Sequence, residues 1–135
     1  MGEQKKEPSN VKWALNTFSV NIPFDSAVEL PRFHTKAGES RIDLTRIVYL
    51  NAQLNYTVFH LNDGEKIITS LPLSLYNTLL EKHGFMRLHK SHLLNLHYLP
   101  QCRVERFQQL VLPDKKVIPI ARRRRNALKQ TMQSN

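Results

Sequence analysis

YTVFHLNDGEKIITS, residues 56–70, sets two short runs rich in β-branched and aromatic residues on either side of Asn62-Asp63-Gly64. Asp-Gly between two such runs is a strong local hairpin signal, because glycine reaches the positive φ that a tight turn demands. The stretch therefore predicts two antiparallel strands, and that pattern repeats outward in both directions.

Upstream, AVELPRFHT and RIDLTRIVYLNA are short apolar runs separated by the turn-like KAGES. Downstream, LPLSLYNTLLEKHG changes period: Leu71, Leu75, Leu79 and His83 recur at helical spacing, Pro72 suits a first turn and Gly84 a C′ position. A helix of about three turns is expected there. Strands then resume as FMRLH, LLNLHYL, RVERFQQLVL and KKVIPIA, with Pro113-Asp114 turning between the last two. RRRRNALKQTMQSN predicts a closing helix from about Arg122, making a short apolar contact through Ala127, Leu128, Thr131 and Met132. The fold class is mainly β, with one middle helix and one C-terminal helix.

A length of 135 residues with 41% hydrophobic content suits one domain with a modest core. The polar start through Pro8 and the apolar alternation of Trp13, Leu15, Phe18, Val20, Ile22 and Phe24 predict a partly disordered arm over 1–26. The domain proper is expected over 27–135. A single cysteine, Cys102, excludes an internal disulfide framework and fits a reducing compartment. With no long apolar run, no secretory h-region and Lys6 where a myristoylation signal prefers Ser or Thr, the expectation is a cytoplasmic chain without membrane insertion.

Charge is distributed unevenly. Residues 1–81 carry eight basic and nine acidic side chains, whereas residues 82–135 carry twelve basic and two acidic. Such asymmetry favours a polyanionic partner, nucleic acid before membrane surface. Catalysis is not expected, and neither is a cofactor. A metal-dependent nuclease needs clustered carboxylates, yet the basic part has only Glu105 and Asp114. The spacing His89-x2-His92-x4-His97 is a poor metal site, since a strand–turn–strand is expected to send His89 and His92 in unrelated directions with no acidic or thiol ligand nearby. Ser91 beside His92 lacks any oxyanion-hole motif and is expected to cap a turn.

Arg122 to Arg125 place four guanidinium groups in the first turn of the closing helix, where the macrodipole disfavours cations by roughly 0.3–1 kcal/mol each. Phosphate oxygens approaching that end reverse the sign, because free N–H groups and guanidinium forks then act together. In FMRLHKSHLLNLHYLP, residues 85–100, alternation puts Arg87 and His89 on one side and Met86 and Leu88 on the other, with Lys90, Ser91 and His92 at a turn. Basic side chains at a rigid strand end suit a major groove. Asn95 and His97 are expected instead to bond neighbouring backbone.

With these blocks in this order, residues 27–132 resemble the LytTR family of bacterial DNA-binding domains. The family signature phenylalanine, x, arginine, x, histidine, arginine, serine, x, x, x, asparagine is met by Phe85, Arg87, His89, Ser91 and Asn95. RIDLTRIVYLNAQLNYTVFHLNDGEK resembles its upstream strand, loop and hairpin, and KKVIPIARRRRNALK its closing strand, turn and helix. The resemblance implies an elongated fold of short antiparallel sheets whose loops enter the major groove of double-stranded DNA. It implies base contacts from Asn55, Lys90 and Arg123, and backbone contacts from Arg87, His89, Ser91 and Arg122, with Arg124 assigned to the backbone as well. Two departures stand out: Lys90 offers a point charge where arginine is common, and Ala121 replaces the serine before the arginines. The expected function is sequence-specific DNA binding that regulates transcription. A protein-interaction module using residues 11–24 is the alternative. A homodimer, side-by-side binding on repeated sites and an unidentified sensor partner stay open.

Overall fold

The protein is described here by a computed structural model, which covers residues 42–134 and, ahead of them, the strands β1 (Val11–Trp13), β2 (Arg32–Thr35) and β3 (Gly38–Arg41). Strands β4 (Ile47–Gln53), β5 (Tyr56–Leu61), β6 (Lys66–Thr69), β7 (Phe85–His89) and β8 (His92–Asn95) join β1 in a six-stranded sheet ordered β1-β6-β5-β4-β8-β7. A second sheet holds β9 (Arg103–Glu105), β10 (Gln109–Val111) and β11 (Val117–Pro119) in the order β11-β10-β9, while β2 pairs with β3. All these ladders are antiparallel except β1–β6. Two helices, α1 (Leu73–Leu80) and α2 (Arg125–Gln133), complete a mainly β fold. The predicted arm over 1–26 lies outside the described residues apart from β1, as does AVELPRFHT before Arg32.

The Asp-Gly hairpin forms as its residues dictate. Gly64 sits at φ 91, its amide donates to Leu61 O at 3.0 Å, and Asp63 Oδ1 accepts from the Glu65 amide at 2.9 Å. The middle helix also forms, extended by a 3-10 turn, Glu81–His83, and stopped by Gly84 at φ 85. Its buried face is Leu73, Tyr76 and Leu80, and Leu71, Leu75 and Leu79 flank it.

Two cores lie on opposite faces of the large sheet. Ile47, Leu50, Phe59, Phe85 and Leu93 pack with α1, the Phe59 and Tyr76 rings meeting edge to face at 4.8 Å. Tyr49, Leu88 and Leu94 face the other way, against Leu110, Ile118 and Leu128 of the small sheet and α2. Each fully buried Leu, Ile or Phe contributes about 1.5–3 kcal/mol.

Asn95, 5% exposed, locks the end of β8. Its Nδ2 donates to Ile47 O at 2.9 Å and Leu44 O at 3.2 Å, and its Oδ1 accepts from the His97 amide at 3.0 Å. That last bond caps a 3-10 helix, Leu96–Gln101, so LLNLHYL is a strand only as far as Asn95.

RVERFQQLVL is likewise two strands and not one. Arg106 and Phe107 both adopt positive φ, 56 and 54, and the Gln108 amide closes the turn on Glu105 O at 2.9 Å. The sequence shows no Gly or Asn there, which is why alternation alone reads straight through. KAGES is only partly a turn, since Gly38 begins β3. In the closing helix Leu128 alone is fully buried, while Ala127 and Met132 are exposed. The helix is held further by Lys129 Nζ, 5.0 Å from the centre of the Phe107 ring.

Two histidines share the second face. His60 stacks on Tyr49 at 4.1 Å between ring centroids, and His92 lies 6.2 Å from the same ring. Burial, reinforced by Lys116, Lys66 and His92, pushes the His60 pKa down to about 3; burial and then His89 push His92 to about 4. Burial raises the Tyr49 hydroxyl to about 12.

Two predictions follow from this packing. Asn95→Ala leaves two buried carbonyls and one amide without their partner and should cost about 1–3 kcal/mol in urea unfolding; Asn95→Asp, which points a carboxylate at the same carbonyls, should cost more. On acidification the unfolded chain binds protons at His60 and His92 first, near pH 6.5, so their contribution is complete above that pH. It is lost as pH falls towards about 4 for His92 and 3 for His60. Melting midpoints should therefore already drop between pH 7 and pH 5.5, before the Asp43, Asp63 and Glu105 carboxyls, all held below their ordinary values, start to protonate in the unfolded chain.

Candidate nucleic-acid interface

Three loops converge at one end of the large sheet. The first is the two-residue turn Leu54-Asn55 between β4 and β5, with Gln53 paired to Tyr56. The second is Lys90-Ser91 between β7 and β8, tied to the first hairpin because the Ala52 amide donates to Ser91 O at 2.9 Å. The third is a 3-10 turn, Arg122–Arg124, leading directly into α2. It is anchored where the Ala121 amide donates to Leu88 O at 2.8 Å. An open cleft of about 330 Å³ is lined by Leu54, Asn55, Arg87 and Lys90 together with the start of α1.

Arg87 organises the second loop. Its Nε donates to His89 O at 2.9 Å and a terminal nitrogen donates to Lys90 O at 2.5 Å, so one guanidinium holds both carbonyls of the turn. A register shift between Arg87 and His89 accompanies it and turns the strand end. Burial, then the charges of Arg124 and Arg123, lower the Arg87 pKa from its ordinary value. These cations are therefore close enough to repel one another.

Ser91 sits between two imidazoles, its Oγ 2.9 Å from His89 Nδ1 and 2.9 Å from His92 Nδ1. The Ser91 amide donates to His89 Nδ1 at 3.2 Å, which makes that nitrogen an acceptor and leaves the hydrogen of the neutral ring on Nε2. Contrary to the strand–turn–strand expectation, His89 and His92 are brought together, with ring centroids 6.0 Å apart. The reason is that His92 opens β8 and pairs with His89 across the ladder instead of standing at the tip. His97, outside the strand, packs on Tyr98. Among the described residues no group of three or more His, Cys, Asp or Glu side chains is placed to hold a metal ion.

Among the described residues, ion pairs join Arg46 to Asp63 and Glu65, and Arg103 to Glu105. None involves Lys90 or the arginines at 122–125. Lys90, Arg122 and Arg123 are exposed, and Ala121 supplies no side-chain cap. Arg125, part of the basic run but given no contact of its own, has a buried Nε without a hydrogen-bond partner among the described residues.

Leu54 is a second residue that sequence reasoning passed over. It is 97% exposed and sits at φ 54, a left-handed conformation costing an L-residue other than Gly, Asn or Asp roughly 1–2 kcal/mol. Its only sequence signal is its place beside Asn55 in a two-residue turn.

This arrangement of cations on rigid loop ends can accept several phosphates at once while presenting amide and ammonium donors between them. No helix among the described residues is long and apolar enough to cross a membrane. No curated protein gives a significant match to the chain. A solved structure described as the LytTr DNA-binding domain of a Bacillus cereus response regulator superposes with a TM-score of 0.62 at 15% identity, covering 76% of this chain and 95% of that one. The family model for the LytTr DNA-binding domain matches residues 39–133, so the chain belongs to the LytTR family and carries a DNA-binding domain.

Proposed function

We propose that the protein binds double-stranded DNA sequence-specifically by placing its three loops in the major groove, and that it regulates transcription without catalysis. The observation that supports this most is the convergence of Asn55, Lys90 and Arg122–Arg124 at one sheet end, with no carboxylate among the described residues paired to Lys90 or these arginines. Asn55, Lys90 and Arg123 are assigned to base edges: an amide can pair with adenine N6 and N7, and cationic donors with guanine O6 and N7. Arg122, Arg124, Ser91 and His89, the last through Nε2–H, are assigned to phosphates. Arg87 has guanidinium hydrogens to spare for a phosphate after holding the two turn carbonyls. The binding unit is residues 27–135 and 1–26 its arm. A cytoplasmic location goes with a DNA partner.

Two measurements test this. Each phosphate neutralised by an arginine or lysine contributes about −0.9 to the salt slope, so the three arginines assigned to phosphates should weaken binding about 40-fold between 50 and 200 mM salt. An affinity that stays level over that range removes the phosphate assignments. Arg123→Ala should cost about 1–3 kcal/mol on the target and relax preference at one base pair, whereas Arg124→Ala should weaken target and scrambled duplexes alike. Equal losses on both duplexes for both variants would show that Arg123 reads no base.

A further inference from the structure

Leu54 has no structural reason to be where it is. Among the described residues its 97% exposure is about twice that of the next large apolar side chains, Val117 at 47%, Tyr56 at 42% and Met132 at 40%. It packs in neither core. It also occupies φ 54, a conformation in which glycine would be free of strain. A side chain that is exposed, apolar and held in an unfavourable backbone state stabilises nothing within the fold, so its use must lie outside it.

Its position says where. Leu54 precedes Asn55 in the same two-residue turn, and both border the cleft shared with Arg87 and Lys90. Base edges in the major groove offer one apolar group, the C5-methyl of thymine, and Asn pairs with adenine, the partner of thymine. We propose that Leu54 is a specificity-determining residue that packs on a thymine methyl at or beside the adenine read by Asn55. The turn then selects A·T pairs by a hydrogen-bonded amide and an apolar contact side by side. This rests on the DNA-binding reading above and adds a contact that the signature residues do not supply.

The experiment uses the full chain and duplexes recovered by its selection from random sequence. Each thymine of the recovered site is replaced in turn by deoxyuridine, which removes only the methyl group. For the unmodified protein one such position should weaken binding about four-fold, the expected worth of one buried methyl. Leu54→Gly and Leu54→Asn should bind the thymine and deoxyuridine duplexes equally at that position. Both substitutions tolerate positive φ, so melting midpoints no lower than that of the unmodified protein establish that the turn is intact. Deoxyuridine having no effect at any thymine, or the same effect on all three proteins, overturns the inference while leaving DNA binding standing. Unchanged DNA binding by both variants with lost self-association also overturns it and assigns Leu54 to a protein contact. If the unmodified protein recovers no preferred duplex, the DNA-binding reading itself fails and this contact with it.

Discussion

Leu93 and Leu94 are neighbours in the chain, both fully buried, and they point into different cores. That double burial is possible only if β8 is an inner strand with apolar layers on both sides, and everything else is arranged around it. Helix α1 covers one face, and the small sheet with α2 covers the other. Strand β4 pairs with β8 across Tyr49, Leu50 and Asn51, and the same alternation sends Leu50 one way and Tyr49 the other. Asn95 then stops the strand by bonding the backbone on either side of the entry to β4. A strand so enclosed cannot slip by one residue without moving every apolar side chain into the wrong layer.

The rigidity of β8 is handed to the site. Its partner β7 ends in a turn whose carbonyls are held by Arg87, and the closing 3-10 turn hangs from Leu88 by a backbone bond. Arg87, Arg123 and Arg124 are thereby held within reach of each other's fields, and among the described residues no ion pair joins any of them to a carboxylate. Mutual repulsion of this kind is a cost to the isolated fold and an advantage once phosphates arrive. The same trade appears at Leu54, where backbone strain and exposure serve nothing inside the molecule.

Much of this is legible in the sequence, and the exceptions have specific causes. The Asp63-Gly64 hairpin, the helix stop at Gly84 and the Pro113-Asp114 turn were read correctly because each uses a residue whose backbone preference is local. The Arg106-Phe107 turn has no local signal, because neither residue prefers positive φ; it is imposed by pairing of β9 with β10. The contact between His89 and His92 is not legible in the sequence, because spacing does not reveal a register shift. Asn95 was correctly assigned to backbone bonding, but its end-of-strand role depends on carbonyls some fifty residues earlier in the chain.

The mainly β pattern, the two helices, the concentration of positive charge after residue 81 and the motif that marks the LytTR family are all readable from the chain, because they depend on local preference and composition. That three loops far apart in the chain share one sheet end emerges only from the folded arrangement. It alone showed that Arg87 shapes the turn it sits in and that Leu54 stands exposed beside Asn55. Those facts follow from strand order and register, which long-range pairing and double-sided burial select and which no window of neighbouring residues contains.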